Sequence, residues 1–219
     1  MGKTVFLTGG SSGIGKAVTQ SLVKAGWRVI APTHNELDLA NLDEVVSFLS
    51  SRGFPAGDID ALVHIAGIWH DKDTILADKP FARFTSEQII GTMNVGLTSF
   101  MLLTHHLMVR GKPSHVVGIS GTFENGAKGW LPYYTSKRAL EDFLVGLAQD
   151  NPQLAAYGIS PADTATEAYK YFYPEYAKSA QSPEAIADLI LSLLNGTKRF
   201  KSGDIIELRD GEQKPLLHS

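Results

Sequence analysis

Short apolar runs rich in β-branched residues punctuate the chain at Thr4–Thr8, Arg28–Pro32, Ala61–Ala66, His115–Ser120, Ala155–Ser160 and Asp204–Arg209. Each is nearly continuous in its apolar character, the pattern of strands buried on both faces. Between them the apolar positions change to a helical period. Ile14, Val18, Leu22 and Ala25 share one face, as do Val45, Phe48 and Leu49, and Leu140, Leu144 and Leu147. Thr85–Val109 reads as one long, mostly apolar helix. Ser182-Pro183-Glu184 opens the last helix with an N-cap and a proline at its first position, ahead of the stripe Ile186, Leu189, Ile190 and Leu193. Glu36-Leu37-Asp38-Leu39 is expected to be a short strand that follows the second one without a helix between them.

Strands alternating with helices predict βαβ units, right-handed crossovers and an α/β fold. The expected architecture is three-layered and doubly wound, with a mainly parallel sheet. No linker or repeat interrupts it, and 219 residues suit one domain spanning 1–219.

Composition narrows the function classes. Lys and Arg total 20 against 23 Asp and Glu, and they are scattered, so no basic footprint for nucleic acid is expected. There are no cysteines, which excludes disulfide frameworks and thiolate chemistry. No apolar run approaches a membrane span and no signal-like segment opens the chain, so the expectation is a cytoplasmic protein with no membrane partner. The sequon Asn195-Gly196-Thr197 then lacks a secretory context.

The 21 glycines matter most where they cluster. Thr8-Gly9-Gly10-Ser11-Ser12-Gly13-Ile14-Gly15 joins the first strand to the first helix. Glycine tolerates a tight turn, and its missing side chain lets backbone N–H groups approach a pyrophosphate at the helix N-terminus. A glycine loop in this strand–loop–helix context predicts a dinucleotide site at Gly9, Ser11, Ser12, Gly13, Ile14 and Gly15.

The spacing T-G-x-x-x-G-I-G resembles the short-chain dehydrogenase/reductase family, whose fold is the Rossmann fold, and further motifs follow in order. Ala66-Gly67 ends a strand as the family's N-N-A-G does, with His64 and Ile65 in place of both asparagines. Asn94 sits where the family's long-helix asparagine would. Tyr133-Tyr134-Thr135-Ser136-Lys137 matches Y-x-x-x-K, and Ser120 stands 13 residues before Tyr133. Pro161-Ala162-Asp163-Thr164-Ala165-Thr166 resembles P-G-x-x-x-T, and Ser202-Gly203-Asp204 with Asp210-Gly211 resembles the region of the last strand.

The resemblance implies an oxidoreductase that moves a hydride between a nicotinamide cofactor and a small carbonyl or alcohol. Tyr133 is then the general acid/base, and Ser120 bonds the substrate oxygen. Lys137 binds the ribose as well, and Asn94 holds a water of a proton relay. Tyr133 and Lys137 are four apart on a predicted helix and share a face, where an ammonium is expected to lower the tyrosine pKa. Ala66, Gly67, Pro161 and Thr166 would contact cofactor, with Asp38 at the adenine amine and Leu39 beside it. Thr33 and His34 stand where a carboxylate would select NAD, which favours NADP, although nearby Glu36 keeps NAD open. The segment before Asp38 and the run His64-Ile65-Ala66-Gly67 also resemble reductases of nucleotide-sugar intermediates, but the glycine spacing and the short C-terminal part do not. Family resemblance further implies a homodimer or homotetramer through the two long helices, with Phe100, Leu103, Leu140, Phe143 and Leu147 facing either a partner or the chain's own core.

Other constellations carry less. Gly118-Ile119-Ser120-Gly121-Thr122 misses the hydrolase elbow G-x-S-x-G at its last position, and only His218 follows as a base. His105-His106 diverge around a helix, and His70, Asp71 and Asp73 crowd a loop without a ligating motif, so no metal is expected. A binding-only nucleotide sensor is the alternative from another class; it would be expected to lack part of the set Asn94, Ser120, Tyr133 and Lys137. Trp69, His70, Phe123, Trp130, Tyr169 and Phe172 fall on loops after strands, where such sheets bind ligands.

Overall fold

A computed structural model describes residues 2–51, 54–70, 75–76, 79–123, 126–198 and 200–216. Asp71, Asp73 and His218, weighed above, lie outside them. The chain runs β1 (Thr4–Thr8), α1 (Gly13–Lys24), β2 (Arg28–Ile30), α2 (Leu42–Ser50), β3 (Ala61–His64), α3 (Ser86–Met93), α4 (Ser99–Arg110), β4 (His115–Ile119), α5 (Leu131–Asp150), β5 (Ala155–Pro161), α6 (Glu167–Phe172), α7 (Pro183–Leu194), β6 (Ile205–Arg209) and β7 (Glu212–Leu216). The strands form one sheet in the order β2-β1-β3-β4-β5-β6-β7, parallel except for the final β6–β7 pair.

Two apolar cores cover the two faces of this sheet. On one, α1 and α7 pack Val18, Leu22, Ile186 and Ile190 against Val5, Leu7, Val63 and Val117. On the other, α2, α4 and α5 pack Val45, Phe100, Leu103, Leu107, Leu140 and Leu144 against Phe6, Leu62 and Val116. Alternate strand residues therefore serve opposite cores, which is why the strands read as unbroken apolar runs. Phe100, Leu103 and Leu140 are fully buried within the chain itself, so of the two faces left open for them, the core is the one they fill.

Three elements differ from the sequence reading. Residues 34–36 form a turn and Glu36–Leu39 adds no strand; Leu37 and Leu39 point into the core as isolated buried side chains instead. Alternation of two leucines with two acids mimics a strand, but the backbone is closed by Glu36 and Leu37 N–H groups donating to the Thr33 carbonyl. The long helix is broken in register rather than direction: Asn94–Thr98 is a π-helical segment between α3 and α4. Such a bulge inserts a residue without changing the apolar stripe, so periodicity alone passes over it. Finally, β7 returns antiparallel to β6 through Asp210-Gly211, both at positive φ (50° and 80°). Asp-Gly is a strong hairpin signal that a reading built on parallel units leaves unused.

Candidate active site

The strand order reverses at β1: the chain adds β2 on one side of it, then crosses back to add β3 on the other. Open α/β sheets bind ligands at this switch point, outside the strand C-termini. The glycine loop lies there, and its glycines are sterically required. A Cβ on Gly15 would run directly into the Gly9 carbonyl, and one on Gly9, which sits at φ 74°, would meet the Ala66 backbone nitrogen at 2.8 Å. A Cβ on Gly13, at φ 49°, would lie 3.1 Å from the Thr166 methyl. The structure therefore brings Ala66, Thr166 and the loop together from three separate parts of the chain.

The N-terminus of α1 is open. Asn41, Thr85, Thr166 and Ser182 each cap their own helix with a side-chain oxygen, whereas Ser12 makes no cap bond and α1 has no acid in its first turn. Ser11 and Ser12 are exposed at this end, while Ile14 packs into the core behind it. Uncapped N–H groups with the positive end of a helix dipole suit an anion such as a pyrophosphate, so these residues fit the dinucleotide.

The second half of the site is built on α5. Tyr133 and Lys137 lie side by side, and a Cβ on Gly67 would touch both, at 3.2 Å from Lys137 Nζ and 3.3 Å from the Tyr133 ring. Lys137 is buried and donates to the Ile119 carbonyl at 2.7 Å; its Nζ stands 5.5 Å from the centre of the Tyr133 ring. Burial lowers Lys137 to about 8, against the opposing pull of the Glu141 carboxylate. Burial also raises Tyr133 to about 12. The expectation that the ammonium would lower the tyrosine is thus corrected: desolvation of the phenolate outweighs a lysine whose charge is itself weakened by burial.

Ser120, at the end of β4, is 3% exposed and donates its hydroxyl hydrogen to Glu141 Oε1. Glu141 also accepts from Arg138 at 2.6 Å. Sequence reasoning missed Glu141, although its place four residues after Lys137 puts it on the same helix face. Asn94 begins the π segment, and its side chain donates to the Ala40 carbonyl at 2.8 Å, tying that segment to the loop after β2.

Two carboxylates, Glu36 and Asp38, lie close to Thr33 and His34. Glu36 Oε2 accepts from both Thr33 N and Thr33 Oγ1 at 2.8 Å. These bonds hold its carboxyl below the usual range. His34 Nδ1 is 3.6 Å from Asp38 Oδ1, which also accepts from Ala40 N at 2.9 Å. Leu39 is buried in the core. Pro161 closes β5 in register with Leu208.

Aromatic side chains gather next to Tyr133. Trp69 lies within 6.5 Å, centre to centre, of His70, Trp130, Tyr169, Phe172 and Tyr173. Trp130 and Phe123 in turn flank Tyr133 at 6.0 and 5.8 Å. Phe123 is held at φ 43°, a strained value for a bulky residue. Burial and a hydrogen bond to Asp163 raise Tyr169 further from its ordinary value. Among the described residues no group of three or more His, Asp or Glu is placed to hold a metal ion.

A family model for short chain dehydrogenases matches residues 3–52 and 31–177. The chain belongs to the short-chain dehydrogenase family. It is 25% identical over 248 residues to an acetoacetyl-CoA reductase of Cupriavidus necator, covering 95% of this chain and 97% of that one. A GDP-L-fucose synthase of Azorhizobium caulinodans is 31% identical over 99 residues; this match takes in 45% of the chain and 30% of that relative, so the chain spans under a third of its length. Among solved structures, a 4-hydroxyisoleucine dehydrogenase complexed with NADH superposes with a TM-score of 0.80 at 20% identity, covering 94% of this chain and 96% of that one. A Shigella flexneri short chain dehydrogenase complexed with NADP gives 0.77 at 20% identity, covering 94% and 96%. The fold is therefore the doubly wound, mainly parallel Rossmann sheet expected from the sequence. No described helix is long and apolar enough to cross a membrane.

Proposed function

We propose that this protein is an oxidoreductase that transfers a hydride between a nicotinamide dinucleotide and a small carbonyl or alcohol, with Tyr133 as the proton-transfer residue. The observation that carries this reading is the Tyr133–Lys137 pair pressed against Gly67, beside an uncapped helix N-terminus. When bound, the cofactor supplies or accepts the hydride. The chain supplies position, a proton and exclusion of water.

Gly9, Ser11, Ser12, Gly13, Ile14 and Gly15 would hold the pyrophosphate, with Ala66, Gly67, Pro161 and Thr166 along the nicotinamide half and Lys137 toward the ribose. Asp38 would border the adenine, with only the backbone of Leu39 beside it, since the Leu39 side chain packs in the core. In the carbonyl-reducing direction the Tyr133 hydroxyl donates its proton to the substrate oxygen, and a phenol raised by burial is in the protonated form this requires. The Lys137 ammonium beside it steadies the phenolate left behind. Ser120 adds a second donor to the same oxygen once its hydroxyl leaves Glu141. Asn94, fixed by Ala40, would hold a water linking Lys137 to solvent.

The Thr33-His34 pair favours NADP(H) on residue type, but Glu36 alters the balance. Its carboxylate occupies the Thr33 N–H and hydroxyl that a 2′-phosphate would need, and it repels that phosphate. NAD(H) is the better fit, since a carboxylate accepts from a ribose hydroxyl. A homodimer or homotetramer through the long helices is supported by Ile90, Met101 and Val109, which are exposed along α3 and α4. Light scattering on the purified chain tests it, with a mass of two or four protomers expected. A chain without cysteine suits the reducing cytoplasm, where we place it.

The deciding experiment replaces one hydroxyl. Tyr133→Phe retains the ring packing against Phe123 and Trp130 and removes the proton. General acid–base catalysis is worth about 10²–10⁴-fold, so kcat on an aromatic or aliphatic ketone should fall by at least the lower figure while NADH affinity stays close to wild type. Tyr134→Phe should remain near wild type. Full activity in Tyr133→Phe would sink the mechanism and leave a nucleotide-binding protein without this chemistry.

A further inference from the structure

Glu141 is the acidic side chain that hydride transfer leaves least explained. It is 1% exposed, one turn beyond Lys137, and lies on the same buried face of α5 as Lys137, Leu140 and Leu144. An ionised carboxylate is costly in such a place unless it is hydrogen-bonded and paired. Glu141 has both kinds of partner: the Ser120 hydroxyl at one oxygen and the Arg138 guanidinium at the other. Arg138 is about one-third exposed and also stacks over the rings of Phe123 and Tyr134, so it bridges this carboxylate to the mouth of the site.

We propose that Glu141 is a positioning residue for the Tyr133–Lys137 pair: its buried carboxylate anchors the Ser120 hydroxyl and holds the positive charge on Lys137. The inference rests on the oxidoreductase reading of that pair, but its test does not need turnover.

The effect is electrostatic and local. The groups around Lys137 are Tyr133, Arg138 and Glu141 on its own helix, His64 from β3, and the Ser120 hydroxyl and Ile119 carbonyl from β4. His64 is buried and neutral through the physiological range, and Tyr133 is neutral too. Among these groups only Glu141 brings negative charge, and Arg138 partly offsets it. Burial has already brought the lysine to about 8, so it is still mostly charged at neutral pH but loses that charge just above it. Without Glu141 the Lys137 ammonium would keep only the Ile119 carbonyl as a partner, and Arg138 would lose its carboxylate.

A second consequence concerns Ser120. A hydroxyl has one hydrogen, and this one is committed to Glu141. Glu141 thus decides when Ser120 can donate elsewhere, and it keeps the end of β4 docked on α5 until then.

The experiment follows the Lys137 side chain directly. Protein labelled with ¹³C at the lysine ε carbon is titrated by NMR, with the signal assigned by its loss in Lys137→Met. Glu141→Gln keeps shape and an acceptor for Ser120 but removes the charge, and it should lower the Lys137 midpoint by about one pH unit or more, so that at pH 8 roughly a tenth of the lysine stays charged instead of half. Arg138→Gln removes the competing cation at a partly exposed position and should move the midpoint upward. Opposite movements are the signature of charge; a purely structural role would disturb both variants alike. A midpoint within about 0.3 pH units of wild type in Glu141→Gln overturns the proposal. Should that variant not fold, an unmoved or lowered midpoint in Arg138→Gln overturns it equally.

Discussion

At the residue scale, the proposed cofactor preference turns on single side chains. Thr33 and His34 are the residues a sequence reader meets at the end of β2, and both look hospitable to a phosphate. In the proposed reading Glu36 opposes that: it folds back over a single turn to take both Thr33 donors, an arrangement set by backbone geometry that spacing does not display. Glu36→Gln removes the repulsion while leaving an acceptor in place. The ratio of NADPH to NADH affinity, measured by fluorescence titration, should then rise by about tenfold or more, the scale of one charge-assisted hydrogen bond. An unchanged ratio would show that Glu36 does not face the ribose.

At the element scale, two close approaches matter more than any propensity. The β1–α1 loop can turn only because Gly15 has no side chain beneath the Gly9 carbonyl. Gly15→Ala should abolish saturable NADH binding, since no rotamer relieves a backbone clash; retained binding would mean the loop does not cradle the pyrophosphate. The π segment between α3 and α4 is the other case. A Cβ on Gly96 would lie 2.7 Å from Ser136 Oγ on α5, one residue before Lys137. Gly96→Ala must therefore push α5 away or unwind the bulge, at about 1–3 kcal/mol, the usual cost of overpacking. Chemical denaturation should show that loss, and Gly91→Ala, with open space around its Cβ, should not.

At the scale of the whole molecule, buried titratable groups shape stability against pH. His64 replaces a family asparagine, lies fully buried with Nδ1 2.8 Å from Thr8 Oγ1, and stacks on Phe100 at 4.7 Å. Burial, helped by the Lys137 charge, lowers it to about 3. The unfolded chain therefore binds the proton near pH 6.5 and the folded one only near pH 3. Stability from this group is complete above 6.5 and is lost as pH falls between those values, by on the order of 5 kcal/mol in total. Thermal melts from about pH 7 to about pH 3.5 should show the decline, and His64→Asn should flatten it. A parallel decline in that variant would assign the acid sensitivity to other groups.

Several features are written into the chain alone: the α/β class, the six parallel strands to within a few residues, the glycine loop and the spacing of Tyr133 with Lys137. These are properties of local periodicity and of backbone sterics, which a chain carries wherever it is read. The turn at residues 34–36 and the π segment escape such a reading, because alternation and helical stripe are each satisfied by more than one backbone. Only packing in three dimensions settles that Thr166 meets Gly13, that Ala66 meets Gly9, and that Ser120 donates to Glu141. It also sets the direction of the Tyr133 and Lys137 shifts. Burial is a sum over neighbours from β3, β4 and α5, and no window of sequence contains them all.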